Sequence, residues 1–111
     1  LPTDDSRDFF MGLSEEHRGA WENEITLRSM EAFTEYEPGD WIPKIGPTPL
    51  MMVVARQDHL TPADMTLKAY ETAIEPKRFL ILDCAHFEAY TDEPFKVSAP
   101  QQCAWFTEHL M

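Results

Sequence analysis

Two short apolar runs dominate the pattern of the sequence, Leu50 to Ala55 and Phe79 to Leu82, and neither alternates with polar residues. A run without alternation marks a strand covered on both faces, as in a parallel sheet. Between the runs, Thr61-Pro62-Ala63-Asp64 predicts a helix start: a hydroxyl N-cap, proline at the first helical position and a carboxylate near the positive end of the helix dipole. That helix is predicted from Pro62 to about Ile74, with Leu67, Tyr70 and Ile74 on one face and Pro76 ending it. After the loop Asp83 to Glu93, Ala99, Cys103, Phe106 and Leu110 recur at helical spacing and predict a C-terminal amphipathic helix starting near Val97 or Pro100. Upstream, Ile25, Ala32, Phe33 and Tyr36 predict a helix over about Asn23 to Tyr36, stopped by Pro38-Gly39. Residues 37–49 are too rich in Pro and Gly for a helix or a central strand and predict a rigid connector from which Trp41 and Ile42 pack down. Residues 1–21 carry Phe9, Phe10, Met11 and Trp21 without a sustained period and predict an irregular or short-helical lid or connecting segment.

The order strand, helix, strand, helix implies parallel strands joined by a right-handed crossover, so the predicted class is α/β. Two strands do not complete such a sheet, because each needs neighbours at its edges and helices on both faces. The expectation is a main part over residues 22–111 whose sheet is completed by an N-terminal segment or a companion chain. A homo-oligomer would meet the same need.

Composition narrows the partners. The 9 Lys and Arg against 20 Asp and Glu give a formal net charge of −11, the wrong sign for a phosphate backbone or an anionic membrane surface. No nucleic acid and no membrane partner is therefore expected. No apolar run reaches the roughly 18–20 residues needed to span a bilayer. Cys84 and Cys103 are too few for a disulfide framework, and their apolar neighbours read as buried thiols of a reducing compartment, which predicts a cytoplasmic location; a bridge between the two stays open.

In open α/β sheets, sites form in the loops beyond the carboxyl ends of the strands. Asp58 lies three residues past Ala55, and His86 four residues past Leu82. Parallel strands about 4.8 Å apart deliver both loops to the same edge, within reach of a carboxylate–imidazole hydrogen bond. Such a pair fixes the imidazole tautomer and stabilises the imidazolium while the other ring nitrogen takes a proton from a nucleophile. The nucleophile is not evident. No G-x-S-x-G is present, and Ser6, Ser14, Ser29 and Ser98 sit in loop or helical contexts.

The stretch Pro47 to Pro62, then Ala69 through Arg78, then Cys84-Ala85-His86-Phe87-Glu88-Ala89-Tyr90 resemble the C-terminal third of α/β-hydrolases, nearest the dienelactone-hydrolase-like and fungal polyketide-transferase-like branch. Asn23 to Ser29 and Glu35 to Gly39 resemble the segment that follows the lid in that branch. The most specific features are D-x-x-x-P at Asp58–Pro62 and H-F at His86-Phe87. The resemblance implies the C-terminal portion of an α/β-hydrolase sheet and a serine hydrolase of small ester or thioester substrates. Asp58 would be the triad acid and His86 the triad base, with no cofactor and no metal. The serine and the oxyanion-hole loop would lie on the N-terminal segment or companion chain, so the isolated chain is expected to be inactive.

Other readings stay beside this one. Asp83 is an alternative acid, although a cap or solvent role suits its position next to the strand. His59 suits an exposed loop more than substrate contact. Cys84, His86 and Asp58 or His59 are allowed metal ligands without a second closely spaced ligand pair. Cys84 as a nucleophile is weak, since cysteines flanking strands are usually inert. Phe9, Phe10, Trp21 and Trp41 would serve an acyl pocket or, more simply, ordinary packing. The rival to the enzyme is a non-catalytic interaction module that pairs its open strand with another polypeptide.

Overall fold

The computed structural model describes residues 2–13 and 15–111, and its chain divides into two compact units, Leu1–Pro38 and Gly39–Met111. Ser14 lies outside the described residues.

The first unit is helical. Helix α1 (Asp4–Met11) is capped by Thr3, whose hydroxyl accepts from the Ser6 N–H, and Asp4 and Asp5 sit in its positively polarised first turn. A short helix, α2 (Glu15–Arg18), follows. Helix α3 (Leu27–Glu35) starts later than the periodicity predicts, because the Thr26 hydroxyl accepts the Ser29 N–H at 3.1 Å and fixes the N-terminus there. None of its residues is buried, and Ile25, Phe33 and Tyr36 of the predicted apolar stripe are exposed. Phe10 stacks on Trp21 at 4.9 Å, and Phe9 meets Phe10 edge-on at 5.4 Å, so these aromatics pack on one another.

The second unit is a small α/β domain. Its proline-rich entry closes into a 3₁₀ helix over Pro38–Lys44. There the expectation for Trp41 is corrected: the ring is 63% exposed and lies under the Lys44 ammonium at 4.5 Å, while Ile42 alone is half-buried. Strand β1 (Leu50–Ala55) pairs in parallel with β2 (Lys77–Leu82), in register from Leu50↔Lys77 to Ala55↔Leu82. β2 starts two residues before its apolar run, because Lys77 and Arg78 complete the pairing with Leu50 and Met51. Among the described residues the sheet has these two strands, and Ile81 is exposed. Cover on both faces is thus incomplete.

Helix α4 (Ala63–Thr72) makes the crossover and packs on the face of Val54, Phe79 and Ile81, with Tyr70 against Phe79 at 4.9 Å. Leu67 and Ile74 are exposed, contrary to expectation; Ala63, Thr66, Ala69 and Tyr70 turn inward instead. Three of those four are small, which lets the helix lie close to the sheet. The Thr61 cap is also corrected. Pro62 occupies the N-cap position and no side chain caps α4.

Helix α5 (Asp92–Leu110) covers the opposite face and begins well before Val97, with Asp92 and Glu93 favouring its N-terminus. Pro100 lies inside it and removes the donor that the Lys96 carbonyl would otherwise meet. The predicted stripe is again the wrong one: Cys103, Phe106 and Leu110 are exposed, while Ser98 and Trp105 are buried. Arg78 of β2 holds this face, its guanidinium 4.8 Å over the Trp105 ring and 3.4 Å from Glu108. The core sits at the carboxyl end of the sheet, where Ala55, Leu82 and Cys84 cluster with Val53, Leu80 and Ala89. No helix among the described residues is long and apolar enough to cross a membrane.

Candidate active site

The strands end over this core, and their pairing continues into the loops. The Arg56 N–H donates to the Leu82 carbonyl at 2.8 Å, and the Gln57 N–H to the Cys84 carbonyl at 3.0 Å. The Gln57 amide crosses to Asp83 Oδ1 at 2.7 Å, with Arg56 Nε 3.7 Å from the same oxygen. The two loops are therefore tied to each other before either candidate residue is reached.

Asp58 follows in a tight turn. Its Oδ1 accepts the N–H groups of Leu60 and Thr61, both at 2.8 Å. Its Oδ2 accepts the Thr61 hydroxyl at 2.6 Å and His86 Nδ1 at 2.7 Å. These four bonds occupy the carboxylate's acceptor sites, and the side chain is only 6% exposed. Burial pushes the Asp58 carboxyl up, but the Thr61 hydroxyl, the Thr61 N–H, His86 and the Leu60 N–H together hold it below the ordinary aspartate range.

His86 enters from the other loop as the residue just before a 3₁₀ turn, Phe87–Tyr90. The Glu88 carboxylate reaches back to accept the Ala85 N–H at 2.8 Å, fixing the chain just before the imidazole. Phe87 and Tyr90 meet the ring edge-on, at 4.7 and 5.8 Å between centroids. A carboxylate only accepts, so Nδ1 carries the proton. In the neutral ring Nε2 is then a lone-pair acceptor, and it makes no hydrogen bond among the described residues.

His86 and Asp58 line a cleft of about 340 Å³. Its wall takes Val53 and Ala55 from one face of the sheet, Val54 from the other, Thr66 from α4, and Ser98 and Gln102 from α5. A cavity that meets both faces and both helix layers runs along the outer edge of β1, the edge that no strand among the described residues pairs.

The remaining candidates separate cleanly. Asp83 is exposed and faces Arg56 and Gln57, with no hydrogen bond to His86. His59 is exposed. Cys84 is 4% exposed, and burial, reinforced by Glu88, Asp83 and Asp58, pushes its thiol up, which disfavours the thiolate. Cys84 and Cys103 are both free. Among the described residues no group of three or more His, Cys, Asp or Glu is arranged to hold a metal ion. Trp41 does not line the cleft. Ser98 does, but it is fully buried and its hydroxyl donates to the Phe95 carbonyl at 3.4 Å.

Thr61 is the residue that sequence reasoning misplaced. Asp58 forms an Asx-type turn, its carboxylate taking the Leu60 N–H two residues on and then the N–H and hydroxyl of Thr61, and the spacing Asp58-x-x-Thr61 was legible beside the capping pattern that competed with it.

No family model matches the chain. Among the curated proteins similar to part of it are one bacterial and one fungal protein. The uncharacterised protein YfhR of Escherichia coli is 33% identical over 58 residues, which are 51% of this chain and 20% of YfhR. The polyketide transferase ATR5 of Stachybotrys chlorohalonatus is 28% identical over 61 residues, 55% of this chain and 20% of that protein. The matched stretch thus spans about a fifth of either relative, and the relation to a polyketide transferase is distant and partial.

Proposed function

We propose that this chain supplies the acid and the base of a serine hydrolase acting on small ester or thioester substrates, within an α/β-hydrolase sheet completed by another segment or chain. The observation that carries the reading is the 2.7 Å bond from His86 Nδ1 to a carboxylate whose other acceptor sites are already filled. That arrangement holds one tautomer and leaves Nε2 as a base. The distant similarity to a polyketide transferase supports the same direction.

In this reading Asp58 orients His86 and stabilises its imidazolium, while Nε2 takes the proton of a serine hydroxyl as its oxygen attacks the acyl carbon. The tetrahedral intermediate collapses, and His86 passes the proton to the departing alkoxide or thiolate. Water then enters through the same base, releasing the acid and restoring the serine. The serine comes from a polypeptide strand seated in the cleft along β1. Its edge amides would pair there, and the carboxyl end of such a parallel strand would emerge beside His86.

The open β1 edge also serves the second reading, a non-catalytic module that binds a partner by strand addition. One experiment separates the two. The protein is isolated natively with whatever polypeptide accompanies it and treated with a fluorophosphonate, and native and denaturing mass spectra are compared. The hydrolase reading expects a phosphonyl adduct on a serine of the assembly, abolished by His86→Ala. A folded assembly without an adduct overturns it in favour of the module.

A further inference from the structure

Thr61 contributes two of the four hydrogen bonds on Asp58, one to each oxygen: its N–H to Oδ1 at 2.8 Å and its hydroxyl to Oδ2 at 2.6 Å. The hydroxyl shares Oδ2 with His86 Nδ1 and stands 3.5 Å from that nitrogen. The sequence pattern predicts the same hydroxyl as the cap of α4, but Pro62 holds the N-cap position and no side chain caps the helix. A proline disfavours helical backbone in the residue before it, and Thr61 lies outside α4. A local group diverted from its ordinary role onto the oxygen that binds the imidazole points to a task at that oxygen.

We infer that Thr61 is a positioning residue that locks the Asp58 carboxylate in the rotamer presenting Oδ2 to His86 Nδ1. The inference rests on the acid–base pair of the proposed function, but not on its chemistry. Rotation about the Cβ–Cγ bond moves both carboxylate oxygens together, so every donor on either oxygen resists it. The backbone N–H groups of Leu60 and Thr61 act at Oδ1. The Thr61 hydroxyl adds the one donor at Oδ2 that does not come from the histidine itself, and so strengthens the hold on the acceptor while the imidazole changes charge.

Thr61→Val keeps the shape and the backbone N–H and removes the hydroxyl, whereas Thr61→Ser restores it. Long-range 1H–15N spectra of the full chain read the His86 tautomer and the Nδ1 proton directly, and carboxyl 13C shifts follow the Asp58 titration. In Thr61→Val the Nδ1 proton should exchange with solvent about tenfold faster, as expected for the loss of one hydrogen bond to a charged group. The Asp58 titration should move upward, and Thr61→Ser should return both readings toward the parent. Unchanged exchange and titration in Thr61→Val overturn the inference and leave the acid–base pair standing. Two variants that unfold alike overturn it in favour of a purely structural threonine. A parent protein whose His86 carries its proton on Nε2 overturns the pair itself and Thr61's role with it.

Discussion

Asp58→Asn tests the acid–base pair at the atom that matters. The substitution keeps size and one oxygen but turns the other acceptor into a donor. The surviving oxygen stays with the Leu60 and Thr61 N–H groups, since both arrive from fixed backbone. The new amide NH₂ then faces His86 Nδ1 and the Thr61 hydroxyl at the 2.7 and 2.6 Å positions that Oδ2 holds in the parent. The hydroxyl can rotate and accept, but the imidazole has to give up its Nδ1 proton and take one on Nε2. Hydrogen bonds to a charged group contribute about 1.5–3 kcal/mol each and neutral ones about 0.5–1.5, so four weakened bonds at a side chain 6% exposed cost about 2–4 kcal/mol after partial relaxation. Urea unfolding measures that loss, and 15N shifts of the imidazole at mildly alkaline pH read the exchange of tautomers. Asp83→Asn is the control: its exposed partners are Arg56 and Gln57, so stability should change by less than about 0.5 kcal/mol and the tautomer should stay. In a complete hydrolase the same Asp58→Asn change should reduce turnover about 10⁴-fold. The reasoning is refuted if the His86 nitrogen shifts are indifferent to Asp58→Asn, or if Asp83→Asn is the change that moves them.

Three further outcomes follow from the same geometry. Asp58 has a depressed pKa in the folded chain, so its contribution to stability is complete above the unfolded value of 3.8 and is lost as pH falls through the lower folded value; denaturation followed from pH 5 to pH 2 should lose part of its slope in Asp58→Asn. Leu82→Ala removes a side chain 4% exposed from beneath both loops and should destabilise the second unit by about 2–5 kcal/mol in chemical denaturation, with an unchanged midpoint refuting the placement of the core. Iodoacetamide should alkylate exposed Cys103 rapidly and spare buried Cys84 until urea unfolds the chain, and peptide mass spectrometry that finds Cys84 modified first would contradict its burial and raised pKa.

The parts of this fold that were legible in the sequence are those that local chemistry decides. Two unalternating apolar runs mark β1 and β2 whatever surrounds them, and the parallel crossover follows from the helix between. Asp58 and His86 were legible for the same reason, since parallel strands send both loops to one edge. Helix faces were not, because periodicity reports where apolar residues lie and not which side meets the sheet. On α5 the side that meets it is carried by Ser98 and Trp105, and on α4 by alanines and Thr66 beside Tyr70, where small side chains permit close approach. Thr61 was misread because a hydroxyl before a proline can serve the helix N-terminus or an upstream carboxylate. The deciding fact, a nearby Asp58 needing a donor for Oδ2, is tertiary.

The loop tethers bear on how such a site is built. The Arg56 and Gln57 N–H groups bond the carbonyls of Leu82 and Cys84, so the turn of Asp58 and the turn of His86 are referenced to each other and to the buried end of the sheet. Nothing along the outer edge of β1 is needed to make the 2.7 Å contact between them. The most demanding geometry of the proposed chemistry, a carboxylate and an imidazole held within a few tenths of an ångström, therefore resides wholly in residues 55–91. What the cleft still lacks in this reading is the serine hydroxyl, beside the oxyanion-hole donors expected from the same segment or chain. A strand seated along β1 would deliver it with its placement set by edge hydrogen bonds that repeat along the strand. A base assembled in advance, with its tautomer set and its acceptor free, then requires of the nucleophile only the correct register against β1. A shift of one residue there would turn its side chain to the opposite face of the sheet.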